Sequence, residues 1–585
     1  MKPPDSRILA KRVRCVLPVL IAFAVLAAFW PTLSAEFVSW DDDANFLNNA
    51  HFRGLGWQNL RWMFTTLHMS NYQPLSWLTS ALGYSLWGMH PLGYHATSVA
   101  FHALNAVLFY FVAERLLRHA GPAADELTVS IAATFAALFF AVHPLRTEAV
   151  AWLSGQHDLQ AAAFWLLAIL CYLRACSDKA RRWRWLAGTT ALFAAAMLSK
   201  ANGITLPFIL LLLDVYPLRR LPTNPRLWGK PQHRQILIEK LPLLAVAVAA
   251  GLVSLVARQS TAVLQPLSLG FRIQQAFYGL AFYLGKTVVP VRLLPFYPLP
   301  LDLQLSSTTL AASIVLVLIL SALFVYLRRA SPGPLAAWTY YVVTLLPMLG
   351  LISVSTQLVA DRYTYLPGMA WATLVGGAVL TGLRRWQSRD RLLLGTGLAA
   401  ILALLIAMSW RQSRLWHDSE TLFRHALSQS PGIPEVHNSL GSVLVGQRRI
   451  EEGLAEYRKA LAIKPDFTRA MNNLGLALIG QGRYAEAIEQ YQKALAFEPD
   501  YAFAHNNLGL ALMYLDRTTE ALGHFRRAVA LVPDYVVAHN NLGGALLTMG
   551  LPDEAIVHFK KALELRPDYT AAQTMLHIAE SQRSQ

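Results

Sequence analysis

Up to about Met408 the chain is a succession of apolar runs, each roughly 20 residues long, and beyond Trp410 it turns polar with a helical period. A run of that length is what one helix needs to cross the hydrocarbon core of a bilayer. Hydrophobic residues make up 55% of the 585 and charged residues only 15%, more apolar matter than a soluble core can bury. The expected fold is all-α: a polytopic transmembrane helical bundle at 1–410, then a soluble tail.

The runs predict spans near 16–30, 92–113, 128–143, 158–174, 184–199, 204–218, 241–257, 308–327, 335–355, 363–383 and 392–410, about eleven crossings. Phe271–Pro290 breaks the charge alternation and is expected to be re-entrant or interfacial. The net charge of +16 comes from clusters that cap the runs, among them Lys2 to Arg14, Lys179 to Arg184, Arg219 to Lys240 and Arg384 to Arg391. That distribution reads as topological charge and sets nucleic acid aside. It places the N-terminus in the cytoplasm and the tail outside, on an uncleaved first span. The three cysteines, Cys15, Cys171 and Cys176, lie in or beside apolar runs without metal-ligand spacing.

The tail is periodic. Pro431, Pro465, Pro499, Pro533 and Pro567 stand 34 residues apart, the length of the tetratricopeptide helix-turn-helix unit. Packing residues recur in step: Leu474, Gly475, Ala487, Tyr491 and Ala494, then Leu508, Gly509, Ala521, Phe525 and Ala528. The expected division is a linker and half repeat at 411–433, four repeats at 434–569, in the first of which Gly453 replaces the usual alanine, and a capping helix and tail at 570–585. Asparagines also recur, at Asn438, Asn472, Asn473, Asn506, Asn507, Asn540 and Asn541. Such amides either grip the backbone of an extended polypeptide acceptor or bond between repeats, and the sequence leaves both readings open.

Three constellations carry chemistry, each in a segment expected outside. Asp41, Asp42 and Asp43 follow the first span; carboxylates so close raise one another's pKa, which suits a general base or a divalent-cation site, against the plainer reading of a solvated acidic loop. The stretch His143-Pro144-Leu145-Arg146-Thr147-Glu148, with Trp152, His157 and Asp158 after it, crowds ionisable groups between two spans, where they are costly unless they face a cavity. Asp361-Arg362-Tyr363-Thr364-Tyr365 offers an arginine fork beside tyrosines, fit to clamp a lipid-linked phosphate or to serve as an aromatic belt. Lys200 ends an apolar run nearby and either meets a phosphate or snorkels. His95, His102 and Asn105 read as packing within the bundle.

The acids between Phe37 and Asn49, the stretch His143-Pro144-x-x-Thr147-Glu148-Ala149-Val150-Ala151-Trp152, the stretch Arg362-Tyr363-x-Tyr365-Leu366-Pro367 and the trailing repeats resemble, in that order, the transmembrane and tetratricopeptide-repeat-containing O-mannosyltransferase family. The resemblance implies a GT-C membrane fold, a polyprenyl-phosphate-linked sugar as donor and a catalytic pair at Asp41 and Asp42; with Arg362 and Lys200 to meet the leaving phosphate no cofactor is required, while the three acids leave a divalent cation possible. The second and third constellations, with Lys200, offer substrate contacts at His143, Glu148, Asp158, Lys200, Arg362 and Tyr363. Two positions depart from the family pattern: Asp43 is a third acid, and His157 stands before Asp158 where a permanent cation is usual. Four repeats and short loops suggest a bacterial relative in the inner membrane, with an undecaprenyl-type donor. Rival readings are a membrane-anchored scaffold for envelope assembly and a transferase acting on an envelope glycan or lipid.

Overall fold

Proline and glycine punctuate the membrane unit as local sterics require. In the computed structural model, which describes residues 6–259, 268–298, 307–351 and 357–584, the chain divides between Leu422 and Phe423 into two compact units. Lys2 and the end of the expected 335–355 span lie outside the described residues. The first unit contains α1 (Ser6–Phe29), α2 (Trp57–Thr65), α3 (Pro74–Trp87), α4 (Pro91–Ala120), α5 (Glu126–Ala141), α6 (Thr147–Ala151), α7 (Gln156–Ser177), α8 (Arg182–Ser199) and α9 (Leu206–Val215). It continues with α10 (Pro231–Ile238), α11 (Leu241–Gln259), α12 (Leu269–Val288), α13 (Ser307–Leu327), α14 (Pro332–Leu345), α15 (Gly368–Arg385), α16 (Ser388–Arg414) and the start of α17 (Ser419–Gln429). Proline opens α3, α4 and α14, where its missing N–H would have had no partner. The Asp125 side chain caps α5 by accepting from the Thr128 amide at 2.9 Å.

Among the described residues, six helices are long and apolar enough to cross a bilayer, and a seventh if α5 and the Pro144–Ala151 segment, bent by 58°, count as one. The runs expected at 184–199, 204–218, 335–355 and 363–383 form α8, α9, α14 and α15, of 18, 10, 14 and 18 residues. At 1.5 Å per residue, α9 and α14 fall well short of a core about 30 Å thick. The segment expected to be re-entrant or interfacial is α12, a 20-residue helix packed on α13. The core joins α1, α4, α5, α7 and α15. Small residues set the closest approach: a Cβ at Gly376 of α15 would stand 3.0 Å from the Ala132 carbonyl of α5. Strands β1 (Tyr297–Pro298) and β2 (Gln357–Val359) form a short antiparallel pair.

The second unit holds paired helices: α18 (Pro434–Gly446) with α19 (Ile450–Ile463), α20 (Thr468–Gly480) with α21 (Tyr484–Phe497), α22 (Ala502–Met513) with α23 (Thr518–Leu531), and α24 (Val536–Thr548) with α25 (Pro552–Leu565). The last helix is α26 (Thr570–Arg583). In each pair a glycine of the first helix faces an aromatic ring of the second; a Cβ at Gly475, Gly509 or Gly543 would meet Tyr491, Phe525 or Phe559 at 2.7 Å. The departure at Gly453 has a packing cause, since a Cβ there would lie 2.6 Å from Val445.

Candidate functional site

Residues 35–42 follow α1 and a 3-10 turn without regular structure, so their buried amides need acceptors elsewhere. Glu36 N–H donates to the His417 carbonyl (2.8 Å), Val38 N–H to Asp42 Oδ2 (3.1 Å) and Ser39 N–H to Ser419 Oγ (2.9 Å). The three acids thereby part ways. Asp42 is fully buried, and its Oδ1 accepts from Ser154 N–H (2.9 Å) and Ser154 Oγ–H (2.7 Å). Asp43 turns back to accept from the Ala44 amide at 2.9 Å. Asp41 is half-buried and has no hydrogen-bond partner for its carboxylate among the described residues; it lies within range of the charges on Arg362, Asp43 and Lys200. Burial raises Asp41 to about 6, with Asp43 adding to the rise and Arg362 and Lys200 opposing it. Burial likewise raises Asp42 to about 7 against its hydrogen bonds. The trio shares no ligand cage, and among the described residues no three His, Cys, Asp or Glu side chains group to hold a metal.

The second constellation sits where α5 breaks. The residue before a proline is held out of the helical region, and His143 is extended at φ −74°, ψ 132°. Its Nδ1 accepts from Leu145 N–H (3.3 Å) and its Nε2 meets the Thr287 carbonyl (3.0 Å), so His143, expected to touch substrate, has both ring nitrogens occupied as a cap. The chain then turns Arg146 and Glu148 inward. Arg146 donates to the Thr364 carbonyl (2.7 Å) and Thr364 Oγ1 (3.1 Å), with its flat face near Phe140 and Tyr365. Gly368 gives it room, since a Cβ there would meet the guanidinium at 2.7 Å and displace it. Tyr365 Oη in turn bonds His102 Nδ1 (2.7 Å) and Asn105 Nδ2 (3.0 Å). His102 and Asn105, read as packing, thus brace the third constellation.

Glu148 pairs with the Arg362 guanidinium and accepts the Arg362 N–H at 2.7 Å. Arg362 lies 5.1 Å over Trp152 and 5.0 Å over Tyr363. Asp158 pairs with Lys200 at 3.3 Å and accepts from the Asn202 side chain. Arg362, Tyr363, Asp158 and Asn202 line one small hollow of about 30 Å³. Trp165 lines that hollow and also a second, largely apolar groove of about 140 Å³ between α4, α7, α9, α14 and α15, whose lining includes Tyr216 and Gly333. Of the expected residues, Asp41, Glu148, Asp158, Lys200, Arg362 and Tyr363 converge; Asp42 lies just behind, pinned to Ser154, and His143 stands apart. Ser154 and Asn202 had no signal in the sequence, because each acts through a partner more than 40 residues away.

In the repeat unit the asparagines bond repeat to repeat. Asn473 donates to Asn438 (3.0 Å), Asn507 to Asn472 (2.9 Å) and Asn541 to Asn506 (3.0 Å). An amide has two donor hydrogens and two lone pairs, so the ladder leaves capacity over. Asn540 Oδ1 is buried with no hydrogen-bond partner among the described residues: the next position in register is Met575, whose side chain has no N–H to give.

Residues 74–257 match the family model for dolichyl-phosphate-mannose-protein mannosyltransferase, and residues 404–466, 477–516 and 500–583 match tetratricopeptide repeat models. The chain is 28% identical over 500 residues to protein O-mannosyl-transferase TMTC1 of Homo sapiens, covering 75% of this chain and 54% of that protein. It is 29% identical over 472 residues to the Drosophila melanogaster Tmtc1 protein (65% and 53%) and 32% identical over 206 residues to TMTC2 of Mus musculus (34% and 23%). It spans about half the length of the first and second of these relatives and less of the third. The chain is thus similar, over most of its length, to protein O-mannosyl-transferases of the TMTC type, with the mannosyltransferase match preceding the tetratricopeptide matches.

Proposed function

We propose that this protein is a membrane glycosyltransferase that moves a sugar, mannose by analogy with its relatives' names, from a polyprenyl phosphate to a hydroxyl of a polypeptide. The observation that carries the reading is a half-buried carboxylate, Asp41, with no hydrogen bond among the described residues and within range of two cations, Arg362 and Lys200, the first of which lines a hollow that shares its Trp165 wall with an apolar groove. A lipid phosphate needs such a pairing of charge and grease.

Asp41 accepts the proton of the acceptor hydroxyl as that oxygen bonds to the anomeric carbon. The bond from that carbon to the phosphate oxygen breaks, and the electron pair leaves with the lipid phosphate. Arg362 and Lys200 meet the charge that grows there, so the step requires no metal. Glu148 and Asp158 hold the two cations in place. A carboxylate raised to about 6 is a stronger base than an ordinary one yet stays ionised at neutral pH. Asp42 fixes the loop and does not react. The asparagine ladder's spare amides hold the acceptor chain, and the basic loops support placing the repeats on the non-cytoplasmic side of the membrane, the bacterial inner membrane in this reading.

The test is transfer by the purified full-length protein from polyprenyl-phosphate mannose to peptide. Asp41→Asn is expected to lower kcat by about 10²- to 10⁴-fold, and Asp42→Asn to lower it less. Full-rate transfer by Asp41→Asn overturns the base assignment. Transfer to an isolated glycan but to no polypeptide replaces the acceptor alone.

A further inference from the structure

The route from α16 into α17 passes directly behind the acidic loop. Trp416 is buried, its ring 6.4 Å from that of Trp152, the same ring that lies under Arg362. One residue on, the His417 carbonyl accepts the Glu36 amide; two further, Ser419 Oγ accepts the Ser39 amide. Four consecutive residues therefore support both sides of the proposed centre.

The Ser419 hydroxyl has no task in its own helix. Asp418 caps α17, its carboxylate taking the Thr421 N–H and Oγ–H at 2.8 Å each. Asp42 is anchored by its own hydrogen bonds, whereas the Asp41 side chain has none among the described residues. The position of Asp41 is thus set by its backbone, and Ser39, two residues before it, is tied down by Ser419.

We propose that Trp416–Ser419 is a positioning element of the transfer reaction, in which Ser419 fixes the backbone that carries Asp41 and Trp416 supports Arg362 through Trp152. This rests on the reading of Asp41 as the base.

The experiment compares Ser419→Val, which removes the oxygen at similar bulk, with Ser419→Thr, which keeps it, both in the full-length protein. The Val variant is expected to lose about tenfold or more in kcat, since misplacement of a reacting group by about 1 Å costs up to about 100-fold. Its donor KM stays within about twofold of wild type, and amide exchange at Ser39 accelerates; Thr restores both kcat and protection. Wild-type kcat in the Val variant, equal losses in Val and Thr, or a rise in KM alone each overturns the proposal and leaves the base assignment standing. Full activity of Asp41→Asn removes the base assignment instead, while exchange at Ser39 still reports the anchor. Should the Val protein not fold, Ser419→Ala is read by the same measurements.

Discussion

Asp41 and Asp42 are neighbours with opposite surroundings. Asp42 takes three hydrogen bonds in full burial; the Asp41 carboxylate takes none among the described residues and lies within range of two cations. Scarce acids in an apolar chain made the cluster legible in the sequence. Which acid is free to react depends on Ser154, 112 residues from Asp42, and no local pattern reveals that. The raised Asp41 also bears on stability. Below about pH 4 folded and unfolded chains both hold the proton; between 4 and 6 the unfolded chain ionises first, so stability falls as pH rises, by at most about 3 kcal/mol. Asp41→Asn removes that cost. It is expected to melt higher than wild type at pH 7.5 while losing transfer, the gap closing toward pH 4. A variant that melts lower at pH 7.5 would assign the carboxylate a stabilising role.

At the scale of elements, a proline in an apolar run announces a break, but not what the break is for. Here the interruption at His143-Pro144 turns Arg146 and Glu148 into the bundle, where each clamps the 361–365 turn. His143 looked like a ligand by composition, and geometry uses it as a cap because both its nitrogens find local partners. The repeats were legible in more detail, since one period governs every contact. Their asparagine ladder yields a differential prediction. Asn472→Ala strands the Asn507 amide and should lower array stability by about 1 kcal/mol. Asn540→Ala strands no donor in the ladder, because the Asn540 oxygen has no partner among the described residues. Amide-exchange protection across α20 and α22, compared with α24 and α26, measures the difference; equal losses would refute it.

For the molecule as a whole, the proposed lipid donor gives the apolar groove a role that can be tested. A polyprenyl tail entering it would leave one greasy phase for another, so the groove would add little hydrophobic free energy and select by shape. An added Cβ at Gly377 meets only Leu117, at 3.9 Å, so Gly377→Leu enters the groove without a clash at its base. It should raise KM about tenfold for a long-chain donor and leave KM for a donor of one or two isoprene units unchanged. An equal rise for both would detach the groove from the donor. The sequence alone determined the apolar runs, the helix breaks and the 34-residue period, because each follows from forces between residues near in the chain. Only the tertiary structure decided that Asp41, Asp158, Lys200 and Arg362 share one place, and that Ser154 and Ser419 hold their frame. Those meetings depend on how separate helices pack, and packing follows summed surfaces that no short stretch of sequence carries.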